Sequence, residues 1–491
     1  MSPLNVRRTS VCLYPDTSRV LARGFALGDT EKTDGKTKGD RIVDRVLALD
    51  ESVVVTTLQS LMARFSSRHR DIGAVFERNF SAVLPRIANA DGITFERRLL
   101  IGACFTHEYS IEAAALTNPS IVKAPDQTHL ADGATRFVLS LRAIGEGHIS
   151  SIEFRSGVVD AQGDVRLDPV PSRLVSTAQH QAPIYEKQFF ASKLIELHAH
   201  GEGTAEILDG LPEHFTLTEL EAAIGRADAR GAVNSDSARL TRTLHWLATS
   251  NYESTFRPET TLSERVLFPS GPAESNGMED ARFVRFVRDD GTLTYFATYT
   301  AYDGFQILPQ LIETDDFLRF RIATLNGPCA KNKGIALFPR MIGGRYFALG
   351  RLDNENNFLL TSDNVRFWYD SVVLQRPRAP WELLHIGNCG SPLETEAGWL
   401  VITHGVGPMR QYAIGALLLD LEDPTRVLGH LSEPLLDVSE DQREGYVPNV
   451  VYSCGSMIAG EHLVLPYGIS DVGAGIVTVR VSELLERLTA A

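Results

Sequence analysis

The sequence predicts a mainly β protein: a five-bladed β-propeller with an N-terminal helical region and a helical insertion between its first and second blades. Three observations predict it. Five short apolar runs share one register, at 137–142, 295–300, 346–351, 399–404 and 462–467, several of them preceded by a glycine turn such as Gly291, Gly344 or Gly460. From the second run onward the spacing is on the order of 50 to 65 residues, near what a four-stranded blade needs. Each run also ends on a polar residue: Arg142, Thr300, Arg351, His404 and Tyr467. A two-sheet sandwich is the alternative, but it gives no reason for that shared polar end. In a propeller these ends converge on the central axis and line a binding cavity.

In chain order, residues 1–115 read as a mostly helical extension and 116–491 as the propeller, with a helical excursion at about 165–255. After an extended start at 10–21 comes a polar, Gly- and Lys-rich loop at 29–40, expected to be mobile. Ile42, Val46, Leu47, Ile72, Val75, Phe76 and Phe80 recur three and four apart, which predicts amphipathic helices. The helical reading continues over 95–115 and takes in His107 and Glu108 as a solvent-facing pair. Residues 168–213 read as irregular. Thr216 and Glu219 then form a capping box that opens a helix through Ala229, and 235–250 reads as another. His198 and His200 would point the same way on a strand, but with no further ligand identifiable no metal site is predicted.

The 491 residues are 43% hydrophobic and 22% charged, the balance of a soluble globular protein. A net charge of −14 argues against a nucleic-acid or anionic-membrane partner, which would require a basic face. It leaves room for a small anionic substrate, because a few arginines in a pocket override the global sign locally. Cys12, Cys104, Cys329, Cys389 and Cys454 are scattered without paired spacing. With no apolar leader or membrane-spanning stretch in view, a cytoplasmic location is expected. The helical regions are the candidate surfaces for a homo-oligomer.

The chemistry is expected at Asn276-Gly277-Met278-Glu279-Asp280-Ala281-Arg282-Phe283. Gly277 permits a tight turn, and the apolar run at 283–287 reads as a strand that presents Asp280 and Arg282 on one face. Such clusters are more often solvated ion pairs than sites, so the surrounding motifs decide.

Those motifs, in order, are Leu141-Arg142-Ala143, the Gly277 to Arg282 segment, Tyr299-Thr300-Ala301-Tyr302-Asp303-Gly304, and Asn332-Lys333 leading to Pro339. Gly350-Arg351, Thr403-His404-Gly405, Gly445-Tyr446 to Asn449, and Pro466-Tyr467 to Asp471 complete the series. Together they resemble glycoside hydrolase family 130, the β-mannoside phosphorylases and related β-mannosidases, over roughly residues 115 to 480, leaving out the excursion at 160 to 250. Ala281 stands where the family usually has proline. The resemblance implies an inverting enzyme with Asp280 as general acid, acting through a hydroxyl of the bound mannose. It implies inorganic phosphate as co-substrate, with no metal or organic cofactor, and Arg142, Lys333, Arg351 and His404 as the cations that hold it. Asp303 and Asp471 would hold mannose hydroxyls, Arg282 would orient Asp280 or touch sugar, and Tyr302, Tyr412, Tyr446 and Tyr467 are further substrate-side candidates. Hydrolysis is the alternative, with Glu253, Glu355, Glu394 or Glu444 as base; inverting glycosidases hold two carboxyl groups about 6.5–9.5 Å apart. A non-catalytic carbohydrate-binding propeller ranks third.

Overall fold

Strand Arg7–Leu13 pairs antiparallel with Gly473–Arg480, near the other end of the chain, with Arg7 opposite Thr478. The structure is a computed structural model that describes residues 4–25, 35–87, 90–177, 179–181, 183–230, 237–439 and 442–489. Much of the loop expected at 29–40 lies outside the described residues.

Strands Val20–Gly24 and Thr106–Ser110 pair with one another and enclose helices Lys38–Leu47, Glu51–Phe65, Ile72–Val83 and Phe95–Cys104. Three of these helices start on side-chain caps. Thr37 and Asp40 form a capping box, Asp71 accepts from the Ala74 amide, and Thr94 accepts from the Arg97 amide. Their apolar faces meet around Val43, Val54, Phe80, Leu100 and Ile101. Gly102 sets the closest approach, because a Cβ there would lie 1.8 Å from the Phe76 carbonyl oxygen. The helix expected over 95–115 therefore needs correction. It ends at Cys104, and 106–110 is a strand because Val20–Gly24 supplies its backbone partners. His107 lies on that strand, and the Glu108 carboxylate contacts His69 Nε2 at 2.8 Å.

The rest of the chain is built from successive antiparallel meanders. The first is Ala115–Lys123, Thr135–Ile144 and Ser150–Val159; the next is Gly277–Val287, Leu293–Tyr302, Ile307–Thr314 and Arg319–Thr324. Ala336–Leu337, Tyr346–Gly350, Asn357–Ser362 and Asp370–Gln375 follow, then His385–Asn388, Gly398–Val406, Tyr412–Leu419 and Val427–His430. Val451–Tyr452, His462–Ile469 and Gly473–Arg480 end the series, with the N-terminal strand as the outermost member. The five apolar runs are the second strand of each meander, paired on both sides. Burial of both faces explains why they read as continuous apolar runs rather than alternating ones.

Helices Lys187–Glu196, Glu202–Asp209, Leu217–Ala229 and Ser237–Thr249 fall between the first two meanders and share a core of Phe190, Leu194, Phe215, Leu220, Ile224 and Leu244. The Thr216–Glu219 capping box is present. The first two helices occupy part of the segment that reads as irregular. His198 and His200 sit in the connection between them rather than on a strand, with His198 at φ 54°.

Arg19 ties the N-terminal region to the first meander. Its guanidinium lies 2.7 Å from Glu112 and 2.6 Å from Glu153, and Arg155 contacts the same two carboxylates at 2.7 and 2.9 Å. All four side chains are at most 3% exposed, so each charge relies on the others in place of water. Arg19→Ala strands two buried carboxylates on one cation and is expected to cost about 3–5 kcal/mol in equilibrium urea unfolding. A loss below about 1 kcal/mol, the value of an exposed pair, would contradict that reading.

Candidate active site

Strand Gly277–Val287 carries a bulge at the residue the sequence singles out. Glu279 lies opposite Thr300 and Arg282 opposite Thr298, so Asp280 and Ala281 together face Tyr299 alone. Asp280 takes φ 56°, a left-handed conformation that aspartate tolerates better than most residues. In strand Ala115–Lys123 a second register shift between Thr117 and Ser120 holds Asn118 at φ 47°. The two irregularities meet side chain to side chain: Asn118 Nδ2 donates to Asp280 Oδ1 at 2.5 Å.

Cations surround this carboxylate. Arg142 Nη1 lies 3.4 Å from Asp280 Oδ1, while its Nη2 donates to Glu279 at 2.8 Å and its Nε to Ser150 Oγ at 2.9 Å. Lys333 Nζ donates to the other Glu279 oxygen at 2.5 Å. Arg282, only 2% exposed, donates to the Tyr452 hydroxyl at 2.7 Å, and its Nε and Nη1 have no acceptor among the described residues. Arg351 Nε is likewise without one, and Arg351 Nη1 lies 3.5 Å from His404 Nε2. His404 Nδ1 lies 3.1 Å from the Asn388 carbonyl oxygen, which assigns its proton to Nδ1 and leaves Nε2 to accept from Arg351.

These neighbours set the charges. Burial alone would raise the Asp280 carboxyl, but Arg142, Arg282, Lys333 and the Asn118 amide outweigh it and hold the group below the usual carboxylate value. Asp471 moves the other way, raised by burial and by the nearby Asp280 charge, with Arg142 only partly offsetting them. His404 is pushed well below the ordinary histidine range by burial, then by Arg351, His385 and Arg282. Of the four cations expected around the anion, His404 is therefore a neutral acceptor; Arg142, Lys333 and Arg351 carry charge, and Arg282 joins them.

Other candidates lie farther out or are otherwise engaged. The Asp303 carboxylate accepts from the Phe305 and Gln306 amides at 2.9 and 2.8 Å, so it shapes its own turn. Tyr302 donates to the Gly304 carbonyl oxygen. Tyr412 stacks on His404 with ring centroids 6.1 Å apart, and exposed Tyr446 pairs with His148 at 5.6 Å. Tyr467 is 2% exposed, packed in a core with Leu465 and Val477 and bonded to Gln442, so its polar end does not mark a cavity wall. Among the glutamates considered as a hydrolytic base, Glu253 is held by Arg319 and Arg321, and Glu394 by Arg340. Sequence reasoning missed Asn118, Ser150 and Tyr452 as neighbours of the cluster. The one signal for Asn118 was its place before Pro119 at the onset of β texture, in a residue type that accepts left-handed backbone. Among the described residues no group of three or more His, Cys, Asp or Glu is arranged to hold a metal ion.

Comparison with known proteins gives the family, and the matched range includes the Gly277–Val287 strand. A family model for glycoside hydrolase family 130, described as beta-1,4-mannooligosaccharide phosphorylase, matches residues 251–490. The 1,2-beta-oligomannan phosphorylase of Thermoanaerobacter sp. (strain X514) is 32% identical over 239 residues, covering 45% of this chain and 75% of that protein. The beta-1,2-mannobiose phosphorylase of Listeria innocua is 31% identical over 236 residues, covering 46% of this chain and 65% of the relative. A solved structure of a Listeria innocua beta-1,2-mannobiose phosphorylase, in complex with beta-1,2-mannobiose, superposes with a TM-score of 0.46 at 22% identity, covering 78% of this chain and 94% of that one. The chain belongs to glycoside hydrolase family 130.

The Asn118 bond favours the charged form of Asp280, so Asn118→Ala should raise the Asp280 pKa. Carboxyl-carbon NMR titration checks this, with Asp280→Asn used to assign the resonance. A pKa that stays put or falls would remove Asn118 from the electrostatics of the site.

Proposed function

We propose that the chain is a five-bladed propeller enzyme, with its catalytic domain at 116–491, that phosphorolyses β-mannosides with inversion. A phosphate oxygen attacks the anomeric carbon, the bond to the leaving oxygen breaks, and that oxygen takes up a proton that originates on Asp280 and passes through a mannose hydroxyl. The products are α-mannose 1-phosphate and a shortened mannoside or free sugar. Family membership supports the reaction class, and the relatives' activities on β-1,2-linked mannosides motivate the choice of substrate. The observation that carries the reading is the setting of Asp280 among Arg142, Arg282 and Lys333, with buried guanidinium nitrogens of Arg282 and Arg351 left without acceptors among the described residues.

A carboxyl held ionised is a poor acid, and the proposed role for phosphate resolves this. An anion bound to the same cations offsets their field, so the Asp280 pKa rises when phosphate arrives. The acid is then made by the nucleophile's binding, and the site stays idle toward water in its absence. Of the four glutamates considered as a hydrolytic base, Glu253 and Glu394 are each committed to arginines, which weighs against them in that role.

Incubation with β-1,2- and β-1,4-linked mannooligosaccharides, with and without inorganic phosphate, tests the reading: phosphate-dependent α-mannose 1-phosphate is expected. Free mannose formed at the same rate without phosphate would make the enzyme a hydrolase. Asp280→Asn should lower kcat by about 10²- to 10⁴-fold with an unchanged circular dichroism spectrum, the range for loss of a general acid. Arg351→Ala should raise the phosphate KM by about 10- to 100-fold, as expected for a lost charged hydrogen bond. An unchanged phosphate KM would remove Arg351 from the anion site.

A further inference from the structure

Behind the bulge lies a buried carboxylate that the proposed chemistry does not use. Glu274 ends the short helical turn Pro272–Glu274 and is fully buried. The Tyr252 hydroxyl reaches both of its oxygens, at 3.0 and 2.9 Å, and the Tyr299 hydroxyl donates to Oε1. The Ser270 and Gly271 amides donate to Oε2 at 2.9 and 3.2 Å. All of these donors are neutral. A carboxylate held in a core by neutral donors stabilises a fold less than a well-packed apolar side chain would. What it adds is direction, because each donor must meet a fixed oxygen.

The two phenols stand in unequal places. Tyr252 lies on strand Tyr252–Thr255, beyond Arg319–Thr324 and opposite Ile322. Tyr299 is the residue that faces both Asp280 and Ala281 across the bulge, and Gln310 pairs with it on its other side. Ala281 packs in the same buried core as the Tyr299 ring, while Asp280 turns to Asn118 and Arg142. Glu274 lies six residues before Asp280, just ahead of the bulged strand, where the Asn276 amide donates to the Tyr302 carbonyl oxygen. A loop therefore closes: from Glu274 along the chain to the bulge, across the bulge to Tyr299, and through the phenol back to Glu274. A bulge leaves one residue without a ladder partner of its own, and this closed path fixes the residue that the bulge faces.

We infer that Glu274 and Tyr299 are positioning residues for the acid: their hydrogen bond pins the strand facing the bulge and so sets where the Asp280 carboxyl stands against Asn118 and the cations. Tyr252 only tethers Glu274 from the far side. The inference deepens the proposed function, resting on its assignment of Asp280 as the acid and not on the choice of phosphate or mannoside. Burial and the Glu274 charge hold both phenols well above the usual tyrosine range, so the two donors stay protonated.

The test compares Tyr299→Phe with Tyr252→Phe. Each removes one hydroxyl from the same buried carboxylate, so both should lower Tm. Only Tyr299→Phe should lower kcat, by about 10- to 100-fold, the effect of displacing a reacting group by up to about 1 Å, with the mannoside and phosphate KM values near those of the wild type. Only Tyr299→Phe should raise the Asp280 pKa in carboxyl-carbon NMR titration, because a looser bulge lengthens the contacts to Asn118 and Arg142 that favour the charged form. Glu274→Gln keeps an acceptor oxygen for the Tyr299 phenol and should retain more activity than Glu274→Leu, which keeps none. That pair carries the test if Tyr299→Phe does not fold. Equal kcat and equal Asp280 pKa in the two tyrosine variants overturn the inference and leave a purely structural network, as do equal values in Glu274→Gln and Glu274→Leu. The NMR arm does not depend on the reaction. If Asp280→Asn proves as active as the wild type, the proposed function fails, while an Asp280 pKa raised in Tyr299→Phe alone still supports the positioning role.

Discussion

The site depends on one local distortion, the bulge that gives Asp280 a left-handed backbone in an otherwise regular strand. In a straight strand Asp280 and Arg282 would share a face and Glu279 would point away from both. The bulge breaks that alternation and lets Asp280 meet Asn118 while Glu279 meets Arg142 and Lys333. Gly277 supplies the approach that makes this possible: at φ 134°, with a would-be Cβ 2.7 Å from the Ser150 amide nitrogen, it allows strands of two meanders to touch. Arg142, paired with Ile152 one strand away, is carried to the carboxylates by that contact. Backbone strain of this kind persists where surrounding structure over-determines it, and here the second bulge at Asn118 does so.

Electrostatics turns the geometry into a function. The chain carries a net charge of −14, yet Arg142, Arg282, Lys333 and Arg351 outnumber Asp280, Glu279 and Asp471 where they meet. Local surplus and low dielectric suit the cluster to the anion of the proposed reaction, even with His404 neutral. The same cations keep Asp280 ionised while Asp471, a short way off, is raised. Two carboxyl groups pushed in opposite directions fit the proposed chemistry, in which acid catalysis is conditional on phosphate.

The sequence made the repeated part of this fold legible for a physical reason. Interior strands buried on both faces must be apolar throughout, so 295–300 or 399–404 stands out without any alignment. Capped helices were readable too, as the Thr216–Glu219 box shows. Non-local partners were hidden. Residues 106–110 follow directly on the helical pattern of 95–105, and only the distant strand Val20–Gly24 makes them a strand. Asn118 and Asp280 are 162 residues apart, and their bond exists only because two bulges face one another. Tyr467 illustrates the converse: a polar end was visible, but whether a tyrosine hydroxyl meets a cavity or a core neighbour depends on packing that periodicity does not encode. His404 was singled out as a cation, whereas its neutrality follows from burial and from Arg351.

The claim that the cation field holds Asp280 charged until an anion arrives is tested most directly by calorimetry with sulfate, which carries no titratable proton near neutral pH. Titration in two buffers of different ionisation heat gives the protons taken up per anion bound. The account predicts net uptake at neutral pH, affinity that weakens as pH rises, and loss of that uptake in Asp280→Asn. Binding with no proton uptake, or with the same uptake in Asp280→Asn, would contradict it.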